Sequence, residues 1–278
     1  MGILTAFLVF LALGVAIGLL LALASKVFRV ERDERIDKIS EVLPGANCGG
    51  CGFAGCTALA EAVVKGEAKC NSCTVGGNEV AVKVSEIMGV AAESAVRMRA
   101  QVMCSGTSAC SHKKVNYAGV QDCRAAAALG GGDKMCPNGC IGLGTCVAAC
   151  PFDAISVVDG VAVVDYARCR GCGVCAASCP KGIIELIPFD SRHWVGCKSV
   201  AEGAMTRKVC DTGCIGCGIC AKNCPEGAIT VENHVAKIDY SKCTACDTCV
   251  SKCPRKIIWQ ATKVGDAIVI TKPDASGK

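Results

Sequence analysis

Shifting the chain by 74 residues lays its cysteines on one another without a gap. Cys123, Cys136, Cys140, Cys146 and Cys150 fall on Cys197, Cys210, Cys214, Cys220 and Cys224, while Cys169, Cys172, Cys175 and Cys179 fall on Cys243, Cys246, Cys249 and Cys253. Pro151, Pro180 and Asp165-Tyr166 find copies in Pro225, Pro254 and Asp239-Tyr240. One module has been duplicated in tandem, over roughly residues 120–190 and 194–264. A chain of 278 residues with only 4% aromatics and 26 cysteines suits small units clamped by bound groups better than one large apolar core.

The spacing within each module says which group. CRGCGVCAASCP (169–180), CIGCGICAKNCP (214–225) and CTACDTCVSKCP (243–254) all read C-x2-C-x2-C-x3-C-P. That is the run that holds [4Fe–4S] clusters in bacterial ferredoxins, where three close cysteines wrap one cubane and the fourth reaches the partner cluster. Structural zinc uses two separated C-x2-C pairs, not triplets closed by proline. The runs are joined by short apolar alternations. Ala154–Val158 and Val161–Val164 flank Asp159-Gly160, a two-residue hairpin signal, and the copy at 228–238 turns at Asn233-His234. Each module is expected to be a small α+β unit around two clusters.

The first run of the first module is irregular, because Leu143 stands where its copy has Cys217. Leucine cannot ligate iron. The spacing suggests that Cys136 substitutes, so that Cys136, Cys140, Cys146 and Cys179 hold one cluster; the alternative is a three-iron cluster. The remaining sets are then Cys169, Cys172, Cys175 and Cys150; Cys214, Cys217, Cys220 and Cys253; and Cys243, Cys246, Cys249 and Cys224.

Residues 1–25 carry no charged side chain. As a helix they would extend roughly 37 Å at about 1.5 Å per residue, enough for a hydrocarbon core of about 30 Å. A cleaved signal peptide would want positive charge before the apolar run. Here Lys26, Arg29, Arg32 and Arg35 follow it, which keeps the remainder of the chain in the cytoplasm. Thiols there stay reduced, so the cysteines are expected to bind metal rather than pair. The Gly14/Gly18 step offers a face for another membrane helix.

A further motif precedes the modules: PGANCGGCGFAGC, residues 44–56. Gly50, Gly52 and Gly55 match G-x-G-x-x-G, but a dinucleotide site needs a preceding strand, and here Cys51 and Cys56 interrupt the pattern. Cys48, Cys51 and Cys56 read as three ligands of another cluster, followed by a helix-forming stretch, Thr57–Glu67. The fourth ligand is Cys70 or Cys73. No Walker motif or hydrolase signature is present, and His112, His193 and His234 are isolated in sequence, expected at the surface. Twenty ligating thiolates and five oxidised cores would turn the formal net charge of +5 into about −5, which argues against a nucleic-acid partner.

Together the apolar N-terminus, the glycine-rich cysteine motif and the ferredoxin runs resemble the B subunit of the Rnf (Rsx) electron-transport complexes, over nearly the whole chain. In that family the fourth cysteine of the N-terminal motif precedes a segment ending in Gly-Gly. Cys73-Thr74-Val75-Gly76-Gly77 matches, which favours Cys73. The duplication is similar to the longer members of the family. The resemblance implies a fold of an N-terminal transmembrane helix (1–27), a small helical [4Fe–4S] domain with a linker helix (28–103) and two tandem bacterial-type 2[4Fe–4S] ferredoxin-like modules (104–192 and 193–278). It implies single-electron relay between soluble ferredoxin and the membrane subunits, within a complex that couples NAD reduction to Na+ or H+ movement, with the A, C, D, E and G subunits of Rnf as partners. A polyferredoxin anchored to serve another redox enzyme, or to reduce a redox-sensing transcription factor, is the alternative. Six cysteines remain after five clusters: Cys70, Cys104, Cys110, Cys123, Cys197 and Cys210. They either pack as small hydrophobes or furnish a sixth cluster from Cys104, Cys110, Cys123 and one of Cys197 and Cys210.

Overall fold

The computed structural model describes residues 2–27, 33–94, 96–264 and 267–271. Arg29 and Arg32, part of the topology signal, lie outside the described residues. Helix α1 spans Gly2–Val27, with an apolar window from Leu4 to Ala24 of mean hydropathy 2.9, none of it buried against the remainder of the protein. A 21-residue helix so apolar and so exposed has the dimensions of a membrane span.

A helical unit follows: α2 (Glu34–Val42), α3 (Cys56–Val64) and α4 (Gly77–Met88). Asp33 caps α2 by accepting from the Arg35 amide at 2.9 Å, and Gly89, left-handed at φ 68°, ends α4. Ile39 and Leu43 of the α2 segment meet Leu59, Ala60 and Val63 of α3 and Val84 of α4 in one core. The helix expected over Thr57–Glu67 is α3, which begins one residue earlier, on Cys56, and ends three residues earlier, on Val64.

The first module contains β1 (Met98–Val102), α5 (Cys123–Ala128), α6 (Thr145–Ala148), β2 (Ile155–Val158), β3 (Val161–Val164), α7 (Val174–Ser178) and β4 (Ile184–Pro188). The second contains β5 (His193–Val195), α8 (Gly203–Val209), α9 (Ile219–Lys222), β6 (Ile229–Glu232), β7 (Val235–Ile238), α10 (Thr248–Lys252), β8 (Ile258–Val264) and β9 (Ala267–Thr271). Both hairpins read from the sequence are present: β2 pairs antiparallel with β3 and β6 with β7. Asp159-Gly160 and Asn233-His234 supply the positive φ values that a two-residue turn needs.

β1 pairs antiparallel with β4, Met98 opposite Pro188 and Val102 opposite Ile184. Residues 98–102, grouped with the N-terminal domain from sequence, thus complete a sheet of the first module. β5 plays the same part against β8 in the second. The modules meet where Trp194 stacks on Trp259, centroids 6.2 Å apart, beside Met103, Ile187 and Ala261. Trp259 reaches back to donate from Nε1 to Ser105 Oγ at 2.7 Å. Arg99, fully buried, seals this junction. Its guanidinium lies 4.0 Å from the Tyr166 ring centroid and donates to the carbonyls of Phe189 (3.2 Å) and Ser191 (2.9 Å).

Candidate metal centres

Among the described residues, no three or more His, Cys, Asp or Glu side chains gather tightly enough to hold a single metal ion. The cysteines instead stand in fours around cavities, as a polynuclear guest requires. Four such cavities measure about 390, 360, 380 and 330 Å³ with their mouths included.

In the helical unit Cys48, Cys51, Cys56 and Cys73 line one cavity. Asn47 Oδ1 accepts from the Cys56 amide at 2.8 Å, which ties the loop to the start of α3. The Gly76 amide donates to Cys73 Sγ at 3.4 Å. Cys70 is not among the residues lining that cavity, although it packs against the same helical core as Cys51, Cys56 and Cys73. Gly50 is where this unit touches the first module: a Cβ there would collide with the Cys172 carbonyl. The glycine is needed for that approach.

Cys175 lies among Cys169, Cys172, Cys146 and Cys150, and burial, reinforced by those thiols, pushes it up to about 12. The amides of Ala100 and Ala154 donate to Cys169 and Cys150 Sγ, each at 3.4 Å.

The cavity beside it is lined by Cys123, Cys140, Cys146 and Cys179; Cys136, which the spacing suggests, is not among its residues. Asp122 caps α5 by accepting from the Arg124 and Ala125 amides. Thr145 Oγ donates to Asp122 at 2.9 Å and accepts from the Cys123 amide at 2.7 Å, so the first residue of α5 is pinned to the start of α6. Cys123 therefore gives this cavity its fourth thiol, and Leu143 packs against it with Ala126 and Ile141. Cys136 is turned away: after Cys136 the chain folds back through Pro137-Asn138, with the Gly139 amide donating to the Cys136 carbonyl at 3.2 Å.

Cys136 faces a different cavity, between the modules, with Cys104, Cys197 and Cys210. From sequence, a sixth site would join Cys104 and one of Cys197 and Cys210 to Cys110 and Cys123. Cys123 belongs to the neighbouring cavity, and Cys110 stands outside, its thiol donating to the Ser105 carbonyl at 3.2 Å. Cys104 Sγ accepts from the Gly106 and Cys140 amides at 3.4 Å, and Cys197 Sγ from Ser199 at 3.5 Å. Burial pushes Cys104 up to about 11 and Cys197 up to about 12.

In the second module Cys214, Cys217, Cys220 and Cys253 line one cavity. Cys249 lies among Cys243, Cys220 and Cys246, with Cys224 packed against the same core. Cys217 and Cys246 are exposed. His193, expected at the surface, is buried, and its Nε2 lies 2.6 Å from Asp247 Oδ1. Nothing local in the sequence marks that pair. Asp247 occupies the left-handed position that is glycine in the other runs.

Neighbouring sets lie against one another: Gly50, between Cys48 and Cys51, packs on the Cys172 carbonyl; Cys140, Cys146, Cys169 and Cys175 share one core; the Cys140 amide donates to Cys104 Sγ at 3.4 Å; Cys104 and Cys197 line one cavity; and Cys197 packs against the core that holds Cys214, Cys220 and Cys249. The donor sets suit iron–sulfur cubanes: four thiols each, apolar walls, and backbone amides aimed at sulfur, the hydrogen bonds that tune such clusters.

The Fe-S cluster family model matches residues 43–75, and the 4Fe-4S dicluster domain model matches residues 139–183 and 213–257. The chain is 47% identical to the B subunit of the Na(+)-translocating ferredoxin:NAD(+) oxidoreductase complex of Acetobacterium woodii, over 83% of this chain and 69% of that one. It is 44% identical to the B subunit of the ion-translocating oxidoreductase complex of Methanosarcina acetivorans, covering 84% and 88%. It is 46% identical to the B subunit of the proton-translocating ferredoxin:NAD(+) oxidoreductase complex of Clostridium ljungdahlii, covering 83% and 82%. With its cysteine sets and its N-terminal apolar helix, the chain belongs to the family of B subunits of the Rnf ion-translocating oxidoreductase complexes.

Proposed function

We propose that this chain relays single electrons between soluble reduced ferredoxin and the membrane subunits of an Rnf complex, through six [4Fe–4S] sites in file. The complex as a whole would couple that transfer to NAD reduction and to movement of Na+ or H+. The observation that supports the reading is the succession of adjoining cysteine sets from the helical unit through both modules. In order from the helical unit, the sets are Cys48/51/56/73, Cys150/169/172/175, Cys123/140/146/179, Cys104/136/197/210, Cys214/217/220/253 and Cys224/243/246/249. They use 24 of the 26 cysteines, leaving Cys70 and Cys110. Bound clusters would each take up and release one electron at low potential.

The protein's own part is to fix thiols, direct amides at them and exclude water. Burial holds the apo thiols protonated, so uptake of metal must displace protons. Helix α1 would anchor the file in the membrane with the metal domains on the cytoplasmic side, among the A, C, D, E and G subunits.

Iron and acid-labile sulfide on anaerobically purified protein test the count: about 24 irons per chain supports six cubanes. A colourless, zinc-loaded protein would overturn the reading. Rapid mixing with reduced ferredoxin should bleach the cluster absorbance, and pull-down from membranes should recover flavin-bearing partners. Failure of both would remove the Rnf role while leaving the metal sites standing.

A further inference from the structure

Lys134 is 5% exposed. Its ammonium donates to two carbonyl oxygens, Gly106 and Gly160, each at 2.7 Å. The neighbouring carboxylate does not answer it, for Asp133 pairs with Lys113 at 3.1 Å. Among the described residues no carboxylate is paired with Lys134. A buried ammonium so placed is costly unless some other negative charge stands close by.

The two carbonyls say where that charge lies. Gly106 is the residue whose amide donates to Cys104 Sγ. The Gly160 carbonyl forms the surface against which Gly142, two residues after Cys140, is packed, with no room for a Cβ. Cys140 in turn donates its amide to Cys104 Sγ at 3.4 Å. The ammonium therefore sits at the seam between the Cys123/140/146/179 set and the Cys104/136/197/210 set. The duplication supplies a contrast: the copy of Lys134 in the second module is Lys208, which is exposed.

We propose that Lys134 is a positioning residue for electron transfer: a fixed buried cation that raises the reduction potential of the two cluster sites joining the ferredoxin modules. The inference rests on the six-site reading above. Reduction adds one electron to a site already carrying four thiolates, and a cation held nearby favours the more negative state. The seam between modules is thereby made easier to reduce than an otherwise similar site without the charge.

The test is an EPR-monitored redox titration of the full chain, with dithionite as reductant, beside iron analysis. Lys134→Gln keeps an amide to donate to the carbonyls but loses the charge; Lys134→Arg keeps the charge; Lys208→Gln is the exposed control. Lys134→Gln is expected to retain full iron while two of the reduction steps become about tenfold less favourable, a shift of ~59 mV downward for a one-electron couple. Arg at 134 and Gln at 208 should leave the potentials near wild type. Full iron with unmoved potentials in Lys134→Gln overturns the inference. If Gln loses iron from these sites and Arg retains it, the charge is what the thiolates need, which supports it. If both lose iron, Lys134 is a packing group and the inference fails. A wild-type iron content well below about 24 would instead strike the six-site reading on which it stands.

Discussion

Replacing Cys123 by serine removes one of four thiols around the cavity lined by Cys140, Cys146 and Cys179, and the second module shows how the loss should be repaired. The Cys140–Gly144 loop has Gly142 at φ 81° and Gly144 at φ 79°; the Cys214–Gly218 loop has Gly216 at φ 64° and Gly218 at φ 73°. Each loop presses its first glycine against the turn of its own hairpin, Gly160 in one module and His234 in the other. A cysteine at position 143 is therefore placed as Cys217 is. Leu143 is only half-buried, so trading its apolar surface for a thiol costs about 1 kcal/mol at ~25 cal/mol per Å². That is small beside the free energy of holding a metal site. Cys123→Ser should bring iron from about 24 per chain to about 20 if the whole cluster is lost, or to about 23 if a three-iron centre survives. Adding Leu143→Cys should return it to about 24. Cys136→Ser should also cost about four irons, from a different set, and Leu143→Cys should not restore them. Iron analysis and EPR of the four proteins decide the matter. If Leu143→Cys rescues Cys136→Ser and not Cys123→Ser, the assignment of Cys123 is wrong and the spacing-based pairing with Cys136 is right.

Two other outcomes follow from the packing and the thiols. Gly50→Ala drives a methyl group into the Cys172 carbonyl and should destabilise the contact between the helical unit and the first module by about 1–3 kcal/mol. Amide exchange around Cys172 should quicken with iron content unchanged, and unaltered exchange would refute the contact. In the metal-free chain, burial raises Cys175, Cys197 and Cys249 up to about 12. A thiol whose folded pKa is raised stabilises the fold fully below its unfolded value near 9 and loses that contribution as pH climbs towards 12. Denaturant midpoints of apo protein should thus fall between about pH 9 and 12, while reconstitution at neutral pH releases protons measurable in weakly buffered solution. A midpoint that rises across that range would contradict the burial of these thiols.

The module architecture is legible in the sequence because it is local. C-x2-C-x2-C-x3-C-P places three sulfurs within one turn of chain, and Asp159-Gly160 fixes a hairpin by backbone conformation alone. The choice between Cys123 and Cys136 is not local. Cys136 is nearer to Cys140 in sequence, but after the fold-back at Pro137-Asn138 it lines the cavity between the modules, and the Asp122–Thr145 hydrogen bond brings Cys123 in from 17 residues upstream. Residues 98–102 were unreadable as part of the first module because β1 pairs with a strand more than eighty residues later. His193 gives no sequence sign of burial either, since its partner Asp247 arrives through the pairing of β5 with β8.

The intermodule set has its origin in the imperfection of the repeat. Duplication gave both modules a cysteine ahead of the first run, Cys123 and Cys197, and another just before it, Cys136 and Cys210. In the second module Cys217 completes the triplet, so Cys197 and Cys210 are not needed there. In the first, Leu143 draws Cys123 into its own cavity and leaves Cys136 free. The three released cysteines converge between the modules, and Cys104, on the segment that leads from β1 towards α5, supplies the fourth. That set adjoins both modules: the Cys140 amide donates to Cys104 Sγ on one side, and Cys197 packs against the core of Cys214 on the other. The same residue of the repeat thus lines a cavity within a module as Cys123, where Leu143 stands twenty residues later, and a cavity between modules as Cys197, where Cys217 does.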